Sequence, residues 1–480
     1  MKILFCAAEM ASFVKVGGLA DVTGGLTRAL AQRGHDVRLI IPLYGIISRS
    51  AHNLRSTGIT FTVSIKGKEE PAVIWTTKTS EGVQVYFVEH AAFFGTPEVY
   101  TPNDLDRFFY FSKASIESLK HLNWQPDILH CHDWHTGFTI SYLKNDLRQD
   151  SFYDSFASVF TIHNLGYQGW FDYSWATAAA ILHHIPPKDN PLHSLLWRMM
   201  GLAIYYSDLV STVSETYARE ILTPEYGEGI DPILRHRENQ LYGIVNGIDY
   251  DAYDPSTDHA LSSNFNIISV DKKKRAKQAL QAEVGLPNDA EVPLLGYVGR
   301  FTKQKGCHLL ADGVESLLAK TRVQLVALGQ APKGEEKYGK MLETLADRHP
   351  GQVKVIARFD DALSRRIYSG CDLFLMPSLY EPCGLGQLIA LRYGTIPVVR
   401  HTGGLIDTVI EHPVMGNGFV FHNAYDGGDL EKALERTIYL FHDKERWRRL
   451  VIRAMSSDSS WERACQRYED IYKRAIELHR

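Results

Sequence analysis

Asn246-Gly247-Ile248-Asp249, followed closely by Asp254-Pro255-Ser256-Thr257-Asp258, marks where one fold pattern stops and another begins. The stretch is dense in turn residues, and no apolar periodicity spans it, so it reads as a hinge. On its N-terminal side, short apolar runs alternate with helical patterns. Residues 1–8 form the first run, a Gly-containing loop follows, and 26–33 reads as a helix ended by Gly34 and His35. Strand-like runs recur at 37–41, 83–88, 127–130, 158–161 and 209–213. Beyond the hinge the rhythm restarts, with strands at 294–298, 323–328, 353–357, 373–377 and 396–399, each followed by helix-like sequence. Residues 461–479 read as a strongly amphipathic closing helix. This β-α-β alternation implies mostly parallel sheets covered on both faces. The expected fold class is therefore α/β, with two doubly wound parallel-sheet domains.

Size agrees, because 480 residues exceed what one ordinary core supports. Apolar residues at 45% and charged residues at 22% suit a globular chain with a core in each half. A formal net charge of −4 gives no electrostatic case for nucleic acid or an acidic membrane. The basic run Lys272-Lys273-Lys274-Arg275 reads as the solvated face of an amphipathic helix. Cys6, Cys131, Cys307, Cys371, Cys383 and Cys465 form no C-x-x-C pair, against both a zinc site and a disulfide framework. No targeting h-region precedes the first strand, and no apolar stretch approaches the ~18–20 residues that span a bilayer. A soluble, reduced, cytoplasmic protein is expected.

Open parallel sheets bind ligands beyond the carboxyl ends of their strands. If two such rims face each other, the active site is the cleft between domains. Chemistry-bearing loops do follow strands in both halves. Lys15-Val16-Gly17-Gly18-Leu19-Ala20-Asp21 comes after the first strand. Paired glycines let backbone approach a bulky anion at a helix start, with a lysine alongside; the alternative is a tight turn and nothing more. The loop is neither G-x-G-x-x-G nor a P-loop, which argues against NAD and ATP chemistry.

His130-Cys131-His132-Asp133-Trp134-His135 invites a metal reading, but Asp133 comes one position too early for His-x-His-x-Asp-His. Strand geometry also sends His130 and His132 to one side and Cys131 to the other. A rim aspartate bonded to a sugar fits better, with the histidines and Trp134 shaping the pocket. In Phe160-Thr161-Ile162-His163-Asn164-Leu165-Gly166-Tyr167-Gln168-Gly169, His163 reads as either an acid/base group or a buried structural histidine. Sharing a rim with Asp133 favours function, and His163 and Asn164 suit sugar hydroxyls.

In the second half, Gly299-Arg300-Phe301-Thr302-Lys303-Gln304-Lys305-Gly306 puts two cations on one loop. A fixed guanidinium and an ammonium neutralise a diphosphate without metal; the plainer reading is a solvated basic loop. Pro377-Ser378-Leu379-Tyr380-Glu381-Pro382-Cys383-Gly384-Leu385-Gly386-Gln387 places Glu381 at a strand–helix junction, with Gly384 and Leu385 starting a helix whose amides suit phosphate. Thr402-Gly403-Gly404 repeats that arrangement one strand later. A carboxylate capping its own helix is the competing reading for Glu381.

Together, K-V-G-G-L-A-D-V, H-C-H-D-W-H, I-H-N-L-x-Y-Q-G, N-G-I-D-Y-D, G-R-F-T-x-Q-K-G, E-P-C-G-L and T-G-G-L-x-D-T-V resemble, in order and spacing, the signature stretches of bacterial glycogen and starch synthases. The resemblance runs the length of the chain. It implies a GT-B fold, with two Rossmann-like domains facing each other across a cleft. It assigns residues 1–245, completed by a C-terminal helix within 456–480, to an acceptor domain, and 246–455 to a nucleotide-sugar domain. It implies a retaining glucosyltransferase moving glucose from ADP-glucose to the non-reducing 4-hydroxyl of an α-1,4-glucan such as glycogen, starch or a maltooligosaccharide, with no metal and no other cofactor.

Residue roles follow from the same resemblance. Arg300 and Lys305 would neutralise the donor diphosphate, aided by Gly18, Leu385 and Thr402. Glu381, Cys383 and Gly384 would hold the donor glucose, and Phe359 would stack on adenine. Asp133, His163 and Asn246 would contact the transferred sugar, with Lys15 near the reacting end. Gly17, Asp21, Asn164 and Gly403 complete the expected substrate-binding set. Three positions depart from the family pattern: Leu379-Tyr380 replaces the usual Arg-Phe, Gly386 stands where Thr or Asn is common, and Ile389 replaces the second glutamate of E-x7-E.

Rival readings are a UDP-glucose donor, a different acceptor such as a sugar phosphate, a non-catalytic glucan-binding protein, and a metal-dependent transferase using Asp-x-Asp. The last has literal matches at Asp104-Leu105-Asp106 and Asp249-Tyr250-Asp251.

Overall fold

The structure, a computed structural model, describes residues 1–413, 415–423 and 426–480. The chain divides into two compact units, Met1–Gly247 with Trp461–Arg480, and Ile248–Ser460. The divisions fall after Gly247 and Ser460, where the sequence suggested 245 and 455.

The first unit carries nine strands: β1 (Lys2–Cys6), β2 (Asp36–Pro42), β3 (Arg55–Ile65), β4 (Lys68–Lys78), β5 (Gln84–Glu89), β6 (Ile128–His132), β7 (Ala157–Ile162), β8 (Leu209–Thr212) and β9 (Leu241–Gly243). Their order is β3-β4-β5-β2-β1-β6-β7-β8-β9. β1 pairs in parallel with β2 on one side and β6 on the other, Leu4 lying opposite Arg38 and Leu129. A strand covered on both faces must be apolar throughout, and Ile3, Leu4, Phe5 and Cys6 are all buried. Burying each large aliphatic or aromatic side chain contributes about 1.5–3 kcal/mol.

The second unit carries β10 (Leu294–Val298), β11 (Gln324–Leu328), β12 (Val353–Ile356), β13 (Leu373–Met376), β14 (Ile396–Arg400) and β15 (Phe419–Phe421), ordered β12-β11-β10-β13-β14-β15 with every pair parallel. In each sheet the strand order reverses at one place: between β1 and β6, and between β10 and β13. Such switch points open a crevice at the carboxyl ends of the two strands.

Four strands escaped the sequence reading. β3 and β4 form an antiparallel hairpin turned by Lys66 (φ 50°) and Gly67 (φ 74°), the two positive φ values of a tight hairpin. The hairpin lies at the sheet edge, so alternate residues face water, and its Ser, Thr and Lys content masked it. β9 and β15, of three residues each, were too short to register.

The basic run behaves as expected at three positions: Lys272, Lys274 and Arg275 are exposed. Lys273 is the correction. Its Nζ donates to the Ser369 and Tyr393 carbonyls (2.6 and 3.1 Å) and to Thr395 Oγ1 (2.7 Å). Burial pushes its pKa down to about 7. One turn later Lys277 pairs with Asp372 at 2.6 Å, so the helix Lys273–Val284 is pinned to the sheet by two lysines.

The closing helix, Trp461–His479, packs on the first unit. Gly25 leaves room for the Trp461 indole, since a Cβ there would meet Nε1 at 2.1 Å. Arg33 and His35 both donate to Glu469 (2.7 and 3.0 Å). No helix among the described residues is long and apolar enough to cross a membrane.

Candidate active site

Loops carrying the expected residues sit at both switch points. In the first unit, the turn after β1 is organised by a residue the sequence reading missed. Glu9, buried just past the strand, accepts from the Val16 and Gly17 amides (2.6 and 3.0 Å) and from the Tyr100 hydroxyl. The Gly17 amide therefore faces an internal carboxylate, where an external anion had been expected. The signal was present: a glutamate directly after an apolar strand at the sheet's first turn. Lys15 pairs with Asp21 at 2.7 Å, across the start of the helix Gly18–Gln32. The pair is partly exposed, and both groups remain accessible to a ligand.

Asp133 follows β6 with φ 56° and ψ 176°, a backbone region nearly reserved for glycine that costs about 1–3 kcal/mol and persists only where surroundings enforce it. What enforces it is visible. Asp133 Oδ1 accepts the amides of His163 (2.8 Å) and, at longer range, Asn164 (3.4 Å) from the loop after β7. Burial pushes the Asp133 carboxyl up to about 7; those two amides pull it down, and the nearby Glu9 carboxylate adds to the rise. Asp133, His163 and Asn164 thus form one contact set. Asn246, beyond β9, is buried, and its Oδ1 has no partner among the described residues.

The histidine-rich stretch is a neutral stack. His130 bonds to Tyr472 (2.8 Å) and Thr161 (2.6 Å), and His132 Nδ1 meets His163 Nε2 at 2.9 Å. Ring centroids lie 4.1 Å apart for His130–His132 and 5.2 Å for His132–His163. Burial pushes all of these imidazoles down, His163 to about 3, and each charged form would also repel the next. One set of three side chains with convergent ligand atoms occurs among the described residues, Asp146–His183–His184, and it lies outside this stretch.

In the second unit the loops after β10, β13 and β14 interlock. Gly306 has φ 68°, and a Cβ there would meet the Pro377 carbonyl oxygen at 1.9 Å, so only glycine lets these two loops touch. Lys305 Nζ donates to Glu381 Oε2 at 2.6 Å, and Ser378 Oγ donates to the same oxygen at 2.9 Å. Glu381 is buried while Lys305 is partly exposed, so the carboxylate fixes where the ammonium sits. Arg300 is exposed, with its guanidinium held by Gln304 Oε1 at 3.2 Å. The Gly404 amide donates to the Glu381 carbonyl at 3.0 Å, joining the Thr402-Gly403 turn to this set.

Leu385 is the N-cap of a helix that begins at Gly386, two residues later than the start at Gly384 that the sequence suggested, and Gln387 donates back to the Cys383 and Gly384 carbonyls (3.0 and 3.1 Å). Thr402 occupies the N-cap position of the short helix Gly403–Thr408. Phe359 follows β12 at 80% exposure, beside the Arg358–Asp360 pair.

Leu379, where the family pattern has arginine, is served by a different guanidinium. Buried Arg400 donates Nε to the Ser378 carbonyl at 2.7 Å and NH2 to the Leu379 carbonyl. Both Asp-x-Asp matches serve their own chain. Asp104 accepts from Thr101 and Arg107, Asp106 from Lys66 and Trp175, and Asp249 from the Asp251 and Ala252 amides.

Comparison with known proteins agrees with this architecture. A family model described as the starch synthase catalytic domain matches residues 2–236, and one described as glycosyl transferases group 1 matches 279–454. A glycogen synthase of Clostridium beijerinckii is 42% identical over 98% of this chain and 99% of its own length. One of Thermotoga maritima is 39% identical over 99% of each. The catalytic domain of starch synthase IV from Arabidopsis thaliana, bound to ADP and acarbose, has the same fold with a TM-score of 0.92, at 35% identity over 99% of each chain. A full-length match at this level of identity, together with a shared fold, shows that the chain belongs to the glycogen and starch synthase family of GT-B glucosyltransferases.

Proposed function

We propose that the chain transfers glucose from ADP-glucose to the non-reducing 4-hydroxyl of an α-1,4-glucan, with retention of configuration. The observation that carries this reading is the Lys305–Glu381–Ser378 set. It holds an ammonium on a short leash at a parallel-sheet switch point, beside the exposed guanidinium of Arg300. In this reading the second unit binds the nucleotide sugar and the first binds the glucan. The Arabidopsis relative, bound to ADP and acarbose, supports an adenine nucleotide donor and a glucan acceptor.

Breaking the bond between glucose C1 and the diphosphate leaves negative charge on the leaving group and an oxocarbenium-like sugar. Arg300 and Lys305 stabilise that charge, with backbone amides at Leu385, Thr402 and Gly403; removing one such donor costs about 10²–10³ in turnover. Phe359 offers its exposed ring to the adenine. Glu381 Oε2 is occupied by Lys305 and Ser378, which leaves Oε1 for a glucose hydroxyl, next to Cys383 and Gly384.

On the first unit, Asp133, His163, Asn164 and Asn246 bind sugar hydroxyls. His163, kept neutral by burial, offers a ring nitrogen without a charge that would repel the oxocarbenium. The unpartnered Asn246 Oδ1 awaits a donor. Lys15, Gly18 and Asp21 line the same rim. The acceptor O4 attacks the face that the phosphate leaves, its proton passes to the departing phosphate oxygen, and ADP and a lengthened glucan result. Water exclusion favours transfer over hydrolysis. We further place the enzyme in the cytoplasm, associated with its glucan.

Labelled ADP-glucose and UDP-glucose, assayed side by side with glycogen and with maltooligosaccharides, test the reading. Preferential incorporation from ADP-glucose, unaffected by EDTA, is expected. Preference for UDP-glucose, label moving to a sugar phosphate, or activity lost to EDTA would each overturn it.

A further inference from the structure

The loop after β7 continues past His163 and Asn164 into a run of exposed aromatics. Tyr167, Trp170 and Tyr173 are 58%, 59% and 66% exposed. Single exposed aromatics need no explanation, but three within seven residues do.

Of the three, Trp170 has its ring packed against a buried cation. Gly169 (φ 65°) lies directly on Trp134, where a Cβ would meet the indole Cε3 at 2.2 Å. The segment is then laced to a second stretch: the Met199 amide donates to the Gly169 carbonyl (2.9 Å), the Phe171 amide to Trp197 (3.2 Å), and Trp170 forms a bridge with Arg198. The Arg198 guanidinium carbon sits 3.4 Å from the centroid of the Trp170 ring. Arg198 itself is only 4% exposed; NH1 donates to Gln168 Oε1 at 2.6 Å, and Nε has no partner among the described residues. One face of the indole is thus backed by a buried cation while the residue remains open to solvent. Burying a guanidinium with an unpaired N–H is costly, and the structure spends it on fixing an exposed ring.

We propose that Trp170 is a stacking platform for an α-glucan chain, binding glucosyl units away from the reacting end, so that acceptor preference depends on chain length. The inference rests on the transferase reading above. Three observations select this occupant. The platform is continuous, through Gly169 and Trp134, with the rim carrying Asp133 and His163. Residues 166–171 carry no charge, which suits a neutral polymer and not a nucleic acid or a charged peptide. A rigid ring with one open face presents a flat apolar surface matching the C–H face of a pyranose, at little ordering cost.

Trp170→Ala and Trp170→Phe test this. For Trp170→Ala, the ratio of kcat/KM with glycogen to kcat/KM with maltotriose falls about tenfold, through KM. Trp170→Phe restores most of the ratio. Retardation of the folded variant in a glycogen-containing native gel is lost for Ala and kept for Phe. An unchanged ratio with unchanged retardation overturns the platform, as does an equal loss for short and long acceptors. The gel needs no donor. Wild-type retardation lost in Trp170→Ala thus supports the platform even if no nucleotide sugar is turned over, and in that case only the transferase reading fails.

Discussion

The two switch points solve different problems with different chemistry. At β1/β6 the side chains that follow β6 and β7 carry little charge: burial pushes His130, His132 and His163 down and the Asp133 carboxyl up to about 7, while the Lys15–Asp21 pair and Glu9 stand on the loop after β1. Its geometry is set by backbone, with amides of one loop seated on the carboxylate of the next. At β10/β13 the site is built from an ion pair and a guanidinium, with Lys305 placed by buried Glu381 and exposed Arg300 held by Gln304. In the proposed reading the contrast has a physical reason: oriented, uncharged hydrogen-bonding groups suit a sugar, whereas a diphosphate demands fixed positive charge.

The comparison breaks first at Lys305. Lys305→Ala should lower kcat about 10³-fold with an unchanged circular dichroism spectrum, because charge developing on the leaving group loses one of the two cations proposed to stabilise it. A loss below about fivefold removes the charge-based side of the contrast. Gly306→Ala attacks the same rim through backbone alone: the clash with Pro377 and the positive φ should cost about 2–4 kcal/mol, read as a lower melting temperature. Phe359→Ala should raise KM for ADP-glucose about tenfold and KM for glycogen less, in steady-state kinetics.

The smallest effect sharpens the uncharged side. Asp133 has a folded pKa of about 7 against 3.8 for an ordinary aspartate. A carboxyl raised in this way contributes stability that is fully present below about pH 4 and is lost as pH rises through about 7. Asp133→Asn cannot lose it, so the variant's melting temperature should gain on wild type by a few degrees between about pH 5 and about pH 8. A gap independent of pH would show that burial does not disfavour the carboxylate.

Much of this arrangement was legible. The parallel strands were found because strands buried on both faces read as continuous apolar runs, and their loops stood out because charged residues beside glycine rarely follow such runs by chance. The β3–β4 hairpin was not legible, since an edge with one face in water looks like polar loop. Glu9 escaped because it belongs to no glycine or histidine motif; only its place at the end of β1 marks it. Arg400 was hidden for another reason: it ends β14 and supports a loop two dozen residues earlier, a relation that only the sheet order β10-β13-β14 brings about. Lys273 was misassigned with its neighbours because a charge run gives no sign of which member turns inward.

Calorimetric titration of ADP into wild type, Lys305→Ala and Asp133→Asn tests the central claim most directly, that the nucleoside diphosphate belongs to the charged rim. The account predicts affinity at least about tenfold weaker in Lys305→Ala and within about twofold of wild type in Asp133→Asn. Equal affinity in wild type and Lys305→Ala, or a larger loss in Asp133→Asn, would contradict it.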